Sequence, residues 1–147
     1  MSRLAKMALC SAAAIVLASC ATYKDNAPSW MPGSGAVSVK LSGAEEVPPV
    51  KTNGSGSGTI RVSEDGGVSG SVTTTGVPGM MAHIHQGAKG QNGPVIIPLT
   101  KNGDTYTVPA GAKLNAAQMQ AFKAGNLYVN VHTPANKGGE VRGQLQP

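Results

Sequence analysis

Residues 59–75 read TIRVSEDGGVSGSVTTT, and this stretch carries the pattern that decides the fold. Ile60 and Val62 alternate with polar residues, which is typical of a strand that is buried on one face. Asp65-Gly66-Gly67 is a turn signal, and Val68 to Thr75 resumes an extended pattern after it. The stretch therefore predicts a β-hairpin.

Further short segments of the same kind lie on both sides of this hairpin. They are Val37 to Leu41, Met81 to His85, Pro94 to Leu99, Thr105 to Pro109, Leu127 to Thr133 and Glu140 to Gln146. One helix is predicted over Ala116 to Ala124, with Asn115 as its N-cap and Gly125 directly after it. About eight short strands indicate an all-β fold, either an antiparallel two-sheet sandwich or a flattened barrel, with one short helix.

The composition agrees with a single domain of this class. The chain has 147 residues, of which 20 are Gly and 10 are Pro, so turns are frequent and long helices are disfavoured. The formal net charge is +5, but the basic residues are scattered along the chain. Aromatic residues make up 3% of the chain and offer few surfaces for base stacking, so nucleic-acid binding is not expected.

The N-terminus has the pattern of an export signal. Arg3 and Lys6 precede an uncharged run, residues 7–18, which is short for a membrane-spanning helix. The run ends in Leu17-Ala18-Ser19-Cys20, which resembles the lipobox of bacterial lipoproteins. This resemblance implies that residues 1–19 are a signal peptide and that Cys20 is lipidated. The alternatives are an ordinary cleaved signal with an incidental cysteine, or a buried apolar helix.

The expected anchor also predicts where the protein resides. Acyl chains on Cys20 would hold the protein on a bacterial membrane. Ala21 after the cysteine resembles lipoproteins of the outer membrane, which face the periplasm or the cell surface. Residues 20–35 are polar and punctuated by Pro and Gly, which predicts a flexible tether, and residues 36–147 form the predicted domain. That domain contains no cysteine, so no disulfide is expected.

The three histidines are the strongest indication of a functional site in the sequence. His83 and His85 are two residues apart in a predicted strand and therefore leave the same face. In the strand Leu127 to Thr133, the alternation places His132 on the face away from the core. If the two strands are neighbours, the three imidazoles converge on a surface patch that could bind a metal ion. Alternatively, they are hydrogen-bonding residues that orient the 86–93 loop.

Met81 lies two residues before His83 and is predicted on the same face. A thioether beside imidazoles favours copper, as Cu(I), over zinc. The pattern therefore predicts a copper site of His83, His85 and His132, with Met81 as a fourth contact and zinc as the alternative ion. The alternative for Met80 and Met81 is that they fill the core.

Other polar motifs carry weaker signals. Glu45 and Glu46 are adjacent, so on a strand they would point to opposite faces and one would meet solvent. Glu140 and Arg142 share a face, and the simplest interpretation is a structural ion pair or a clamp on a loop. The glycine-rich loop 86–93 lacks the Lys-Ser/Thr pair of a phosphate-binding loop and is predicted to be a hairpin connection.

Four blocks of the sequence resemble the CHRD (chordin) domain in their order and spacing. They are LSGAEEVPPV at 41–50, AHIH at 82–85 with GQNGPV at 90–95, LYVNVHT at 127–133, and GGEVRGQL at 138–145. The resemblance covers about Val37 to Gln146. It implies an extracellular or envelope domain, because the family is named from an extracellular antagonist of growth factors and its bacterial members are secreted or lipid-anchored.

A more distant similarity is to copper/zinc superoxide dismutase. That family has a His-x-His strand, a later strand with another copper ligand, and then an arginine that guides the anion. His83, His85, His132 and Arg142 occur here in that order, but the bridging histidine, the zinc-binding loop and the disulfide have no counterpart. The similarity implies an immunoglobulin-like Greek-key sandwich with a copper site, and it does not imply full dismutase activity.

Three functions are consistent with these patterns. The first is copper binding, buffering or transfer by a lipid-anchored envelope domain. The second is an interaction module whose loops or strand edges bind another envelope protein and whose histidines only support the fold. The third is a copper-dependent oxidoreductase similar to superoxide dismutase, in which Arg142 would steer the anion.

Overall fold

The computed structural model describes residues 35–147 and is an antiparallel β-structure with one short helix. The predicted signal peptide, Cys20 and the tether up to residue 34 lie outside the described residues. The elements are β1 (Ala36–Ser42), β2 (Ser55–Val62), β3 (Val68–Thr75), β4 (Met81–Gln86), β5 (Val95–Pro98), β6 (Thr100–Asn102), β7 (Thr105–Thr107), α1 (Ala116–Lys123), β8 (Leu127–His132) and β9 (Val141–Leu145). Within this part of the chain, no helix has the length and apolar character needed to cross a membrane.

The strands form one antiparallel sheet in the order β5-β4-β8-β9-β1-β2-β3-β7-β6. The predicted hairpin is confirmed as β2 and β3, which pair up to Val62 with Val68. Gly66 in the connecting turn has a φ of 87°, a conformation that glycine adopts without steric strain. The two ends of the sheet approach each other, because its edge strands β5 and β6 are joined by the single residue Leu99. The Leu99 N–H donates to the Ala82 carbonyl oxygen in β4 at 2.9 Å. The expected all-β class is confirmed, as a nearly closed sandwich or barrel.

Alternation along the strands builds the core inside the curled sheet. In β1, for example, Val37, Val39 and Leu41 are buried and their neighbours are not. The predicted helix is confirmed and ends at Lys123, one residue earlier than expected. Its predicted N-cap Asn115 forms a capping box with Gln118, since each side chain accepts a hydrogen bond from the other residue's backbone N–H at 2.9 Å.

Strands β4 and β8 lie side by side, and this pairing positions the histidines. Ala82 and Ile84 of β4 face the core, as the alternation predicts. All six residues of β8 are buried, however, so its outer face is covered as well. The cover consists of the connections 87–94 and 133–140, which fold back over the outer faces of β4, β8 and β9 and hydrogen-bond to side chains there.

Candidate metal centre

The three histidines come together across the β4–β8 pair, as the sequence predicts. Met81 is opposite His132 in the register, and His83 follows two residues along β4. His83 Nδ1 lies 3.0 Å from His132 Nε2. One ligand atom from each of His83, His85 and His132 lies within 4.8 Å of the others. Among the described residues, this is the group of His, Cys, Asp or Glu side chains that could hold a metal ion.

The site is buried, which corrects the expectation of a surface patch. Only 7% of His85 and 8% of His132 is exposed, while His83 is half-buried. The alternation correctly identifies the strand face on which the rings lie. It carries no information about the two loops that cover this face, because those loops come from elsewhere in the chain.

Backbone carbonyls orient two of the imidazole rings. His85 Nδ1 lies 2.9 Å from the Gly93 carbonyl oxygen, and His132 Nδ1 lies 2.9 Å from the Lys137 carbonyl oxygen. A carbonyl oxygen only accepts, so each Nδ1 carries its hydrogen and donates it. With one hydrogen on each ring, Nε2 of both residues therefore carries a lone pair, which in His132 faces His83 Nδ1 at 3.0 Å. This is the arrangement by which proteins fix the tautomer of metal-binding histidines.

The environment favours the neutral form of the His83 and His85 rings. Burial, together with the neighbouring His132 and His85 rings, lowers the pKa of His83 to about 4. Burial also lowers the pKa of His85, although its hydrogen bond to Gly93 opposes the shift. Because neutral imidazole is the form that binds metals, His83 and His85 are in the ligand state at pH 7.

Several buried polar atoms beside the rings have no hydrogen-bond partner. His85 Nε2, Asn130 Oδ1 and Glu46 Oε1 are all in this condition. A buried polar atom without a partner is destabilising, and most such atoms in proteins are paired. For His85 Nε2, which belongs to the histidine cluster, a bound cation is a suitable partner.

Glu46 is a site residue that the sequence does not reveal. Glu45 and Glu46 lie at the end of a single 3-10 turn, Gly43–Glu45, and not on a strand. Glu45 pairs with Lys89 at 3.2 Å on the surface, whereas Glu46 is 4% exposed. Burial raises the pKa of Glu46 to about 7, against the opposing effect of the Arg142 charge and of a hydrogen bond with Asn130. No local pattern distinguishes the two glutamates, because a tertiary contact buries one of them.

Arg142 is the clamp on the 86–93 loop. Its guanidinium donates to the carbonyl oxygens of Gln91 at 2.9 Å and Ala88 at 3.2 Å, and to Asn92 Oδ1 at 3.3 Å. Glu140 accepts instead from the Thr52 hydroxyl at 2.8 Å. The loop-clamp interpretation of Arg142 is therefore confirmed, and an ion pair with Glu140 is not formed.

Tyr128 links this clamp to the histidines. The Arg142 guanidinium carbon lies 3.4 Å from the centre of the Tyr128 ring, and the other side of Tyr128 stacks on His85 at 4.8 Å with an angle of 8° between the planes. The Tyr128 hydroxyl accepts from the Gly93 N–H at 3.2 Å. Gly93 thus contacts both His85 and Tyr128, so the clamped loop fixes the position of the His85 ring.

Met80 and Met81 do not fill the core. They are 47% and 46% exposed, so the core-filling interpretation is wrong. Met81 remains directly opposite His132, next to the cluster.

The cluster has the chemistry of a transition-metal site. Imidazole nitrogens are ligands for both copper and zinc. Two nitrogens that share a metal at about 2.1 Å each lie no more than about 4.2 Å apart. The ligand atoms of the cluster lie within 4.8 Å of one another, slightly beyond this limit, so the rings must move closer together to share one ion.

Comparison with known proteins identifies the domain. No curated protein and no solved structure matches the chain. The family model for the CHRD domain matches residues 37–145, which include β1 through β9 and every residue of the candidate site. The chain therefore belongs to the CHRD domain family.

Proposed function

We propose that this protein binds a copper ion through His83, His85 and His132 and buffers or transfers it. The observation that carries the proposal is that the rings are already oriented and that one ring nitrogen has no hydrogen-bond partner. Backbone carbonyls hold the rings of His85 and His132, and His85 Nε2 is buried without a partner. A purely structural histidine would normally use both ring nitrogens.

Copper suits this ligand set better than zinc. The affinity of nitrogen ligands for divalent ions rises to a maximum at Cu(II) and is lower for Zn(II). Structural zinc sites are usually closed by four protein ligands, and this group of three histidines is not of that kind, although catalytic zinc sites do use three histidines. Three protein ligands leave a position at which an incoming or outgoing carrier can bind the ion. An exchangeable ion is what buffering or transfer requires.

Metal binding by purified protein tests the proposal. The protein, prepared without a histidine tag, is dialysed against Cu(I), Cu(II) and Zn(II), and the bound metal is measured. We expect stoichiometric copper in the wild type and its loss in His85→Ala. Val95→Ala is the matched control, because Val95 is exposed on β5 opposite His85 and provides no metal ligand. Copper that stays bound in His85→Ala would refute the assignment.

We also propose that the protein is exported and anchored by lipid on Cys20, in the outer membrane of a Gram-negative envelope. The support is the sequence alone, namely the apolar run of residues 7–18 that ends in Leu17-Ala18-Ser19-Cys20. Partition between water and detergent tests the anchor. Wild type and Cys10→Ala should enter the detergent phase, and Cys20→Ala should not; equal partition of all three would count against lipidation.

An interaction module is the second candidate function, and one observation favours it. Met80, Met81 and Val95 are 46–49% exposed although they are large and apolar. The interaction-module hypothesis predicts that the purified protein binds no stoichiometric metal. It also predicts that an envelope protein binds to the wild type and not to Val95→Asp. Superoxide chemistry has less support, because Arg142 is 1% exposed and its guanidinium is bound to the loop.

A further inference from the structure

Three large hydrophobic residues are exposed in the described part of the chain, and the backbone of each pairs with that of one of the histidines. Met81 is opposite His132 in the β4–β8 register, and Val95 is opposite His85 in the β4–β5 register. The Met80 backbone N–H donates to the His132 carbonyl oxygen at 2.8 Å. Scattered exposed hydrophobic residues are ordinary on a protein surface. Here the three exposed residues are grouped on and beside the strands that carry the histidines and are not scattered over the surface.

Met81 lies at the solvent end of the cluster. It shares a face of β4 with His83 because the two are two residues apart, and side chains directly opposite in an antiparallel pair have Cβ atoms about 5 Å apart. Exposure rises from 7% at His85 and 8% at His132 to 46% at Met81. An ion that reaches the buried rings from solvent at this end passes the thioether first.

The charge around the cluster favours a monovalent ion. The three ligands include no carboxylate, and the buried guanidinium of Arg142 is separated from His85 only by the Tyr128 ring. The buried carboxyl of Glu46 offsets this positive charge only when it is ionised. Moving a +2 ion into a buried site beside a fixed positive charge is more unfavourable than moving a +1 ion. A methionine thioether is a soft ligand and adds affinity for Cu(I).

We infer that Met81 is the outer ligand of the histidine cluster and that the ion this site takes up is Cu(I). The inference rests on the proposed function, since it names the oxidation state of the ion and the residue at the entrance of the same site. Zn(II) and Cu(II) would bind through the imidazoles alone. Met81 therefore discriminates between ions and is not needed for metal binding as such.

Anaerobic competition with a coloured Cu(I) chelator, bathocuproine disulfonate, tests this inference on the purified protein. Met81→Leu should weaken Cu(I) binding at least about tenfold, which is the scale of losing one contact in a metal site. Its Cu(II) and Zn(II) affinities, measured by dialysis, should equal those of the wild type. Met80→Leu is the matched control, because it removes a neighbouring thioether of equal exposure. X-ray absorption at the copper edge should show a sulfur neighbour in wild type and Met80→Leu only.

The outcomes separate this inference from the proposed function. If the wild type binds Cu(I) in a His85-dependent way but Met81→Leu binds it equally well, the role of Met81 is refuted and the histidine site stands. If Met81→Leu weakens Cu(I), Cu(II) and Zn(II) by the same factor, discrimination by the thioether is refuted. If the wild type takes up no metal, the proposed function itself fails. Since Met81 is half-exposed, the leucine variant should fold, and its thermal unfolding verifies this.

Discussion

Replacing Glu46 by glutamine should raise the stability of the protein relative to wild type as the pH rises. Glu46 is 4% exposed, its Oε1 has no partner, and burial raises its pKa from 4.5 to about 7. The folded protein therefore holds this proton more tightly than the unfolded chain does. The stability that this difference contributes is fully present below pH 4.5 and is lost as the pH rises through 7. A glutamine has no proton to lose and avoids the loss.

The size of the effect follows from the shift in pKa. With values of 4.5 unfolded and about 7 folded, ionisation of Glu46 reduces the free energy of unfolding by about 0.8 kcal/mol at pH 5 and by about 3.3 kcal/mol at pH 8. The stability of Glu46→Gln relative to wild type should therefore increase by about 2.5 kcal/mol between these pH values. Any constant cost of the substitution cancels in this difference.

Urea unfolding at pH 5 and pH 8, on metal-free protein, measures the difference directly. Glu45→Gln is the matched control, because Glu45 is adjacent in sequence but pairs with Lys89 at the surface, and its stability relative to wild type should not change with pH by more than a few tenths of a kcal/mol. A Glu46→Gln difference that is equal at both pH values would show that the carboxyl is not protonated in the folded protein, and the reasoning would be refuted.

Three further predictions concern the fold around the site. Because the pKa of His83 is lowered to about 4, the unfolded chain gains a proton below pH 6.5 that the folded protein does not. The free energy of unfolding should therefore fall as the pH drops from 6.5 to 4, and it should fall less steeply in His83→Gln. Arg142→Lys should lower the free energy of unfolding, measured in urea, by at least about 2 kcal/mol, because an ammonium cannot reproduce the forked hydrogen bonds. It should also speed amide exchange in residues 86–93, and unchanged exchange there would contradict the clamp. Asn115→Ala should lower the free energy of unfolding by about 1 kcal/mol, because the helix loses its cap. Gln120→Ala, at an exposed position of the same helix, should leave it almost unchanged.

Patterns set by neighbouring residues could be predicted from the sequence. The alternation of Ile60 and Val62 before the Asp65-Gly66-Gly67 turn predicts the β2–β3 hairpin, and the structure contains it. Asn115 caps its helix through a residue three positions along. These predictions succeed because the side-chain period of a strand or the capping of a helix depends on only a few consecutive residues.

Contacts between distant segments cannot be predicted in the same way. The sequence pattern is consistent with Met80 and Met81 in the core, yet both are exposed. The pattern does not distinguish Glu46 from Glu45, yet Glu46 is buried and has a raised pKa. The stack of Arg142 on Tyr128 and of Tyr128 on His85 has no local signature, because its members come from three different strands.

The sequence by itself determined the all-β class, the family, and the three histidines as the candidate ligands. It could do so because alternation shows which side chains share a strand face, and because three histidines leave few combinations. Only the tertiary structure decided that the cluster is buried, that carbonyls of Gly93 and Lys137 orient its rings, and that Met81 lies at its solvent end. The physical reason is that the faces of β4 and β8 are covered by loops whose position depends on long-range hydrogen bonds, such as that from Arg142 to the carbonyl of Gln91.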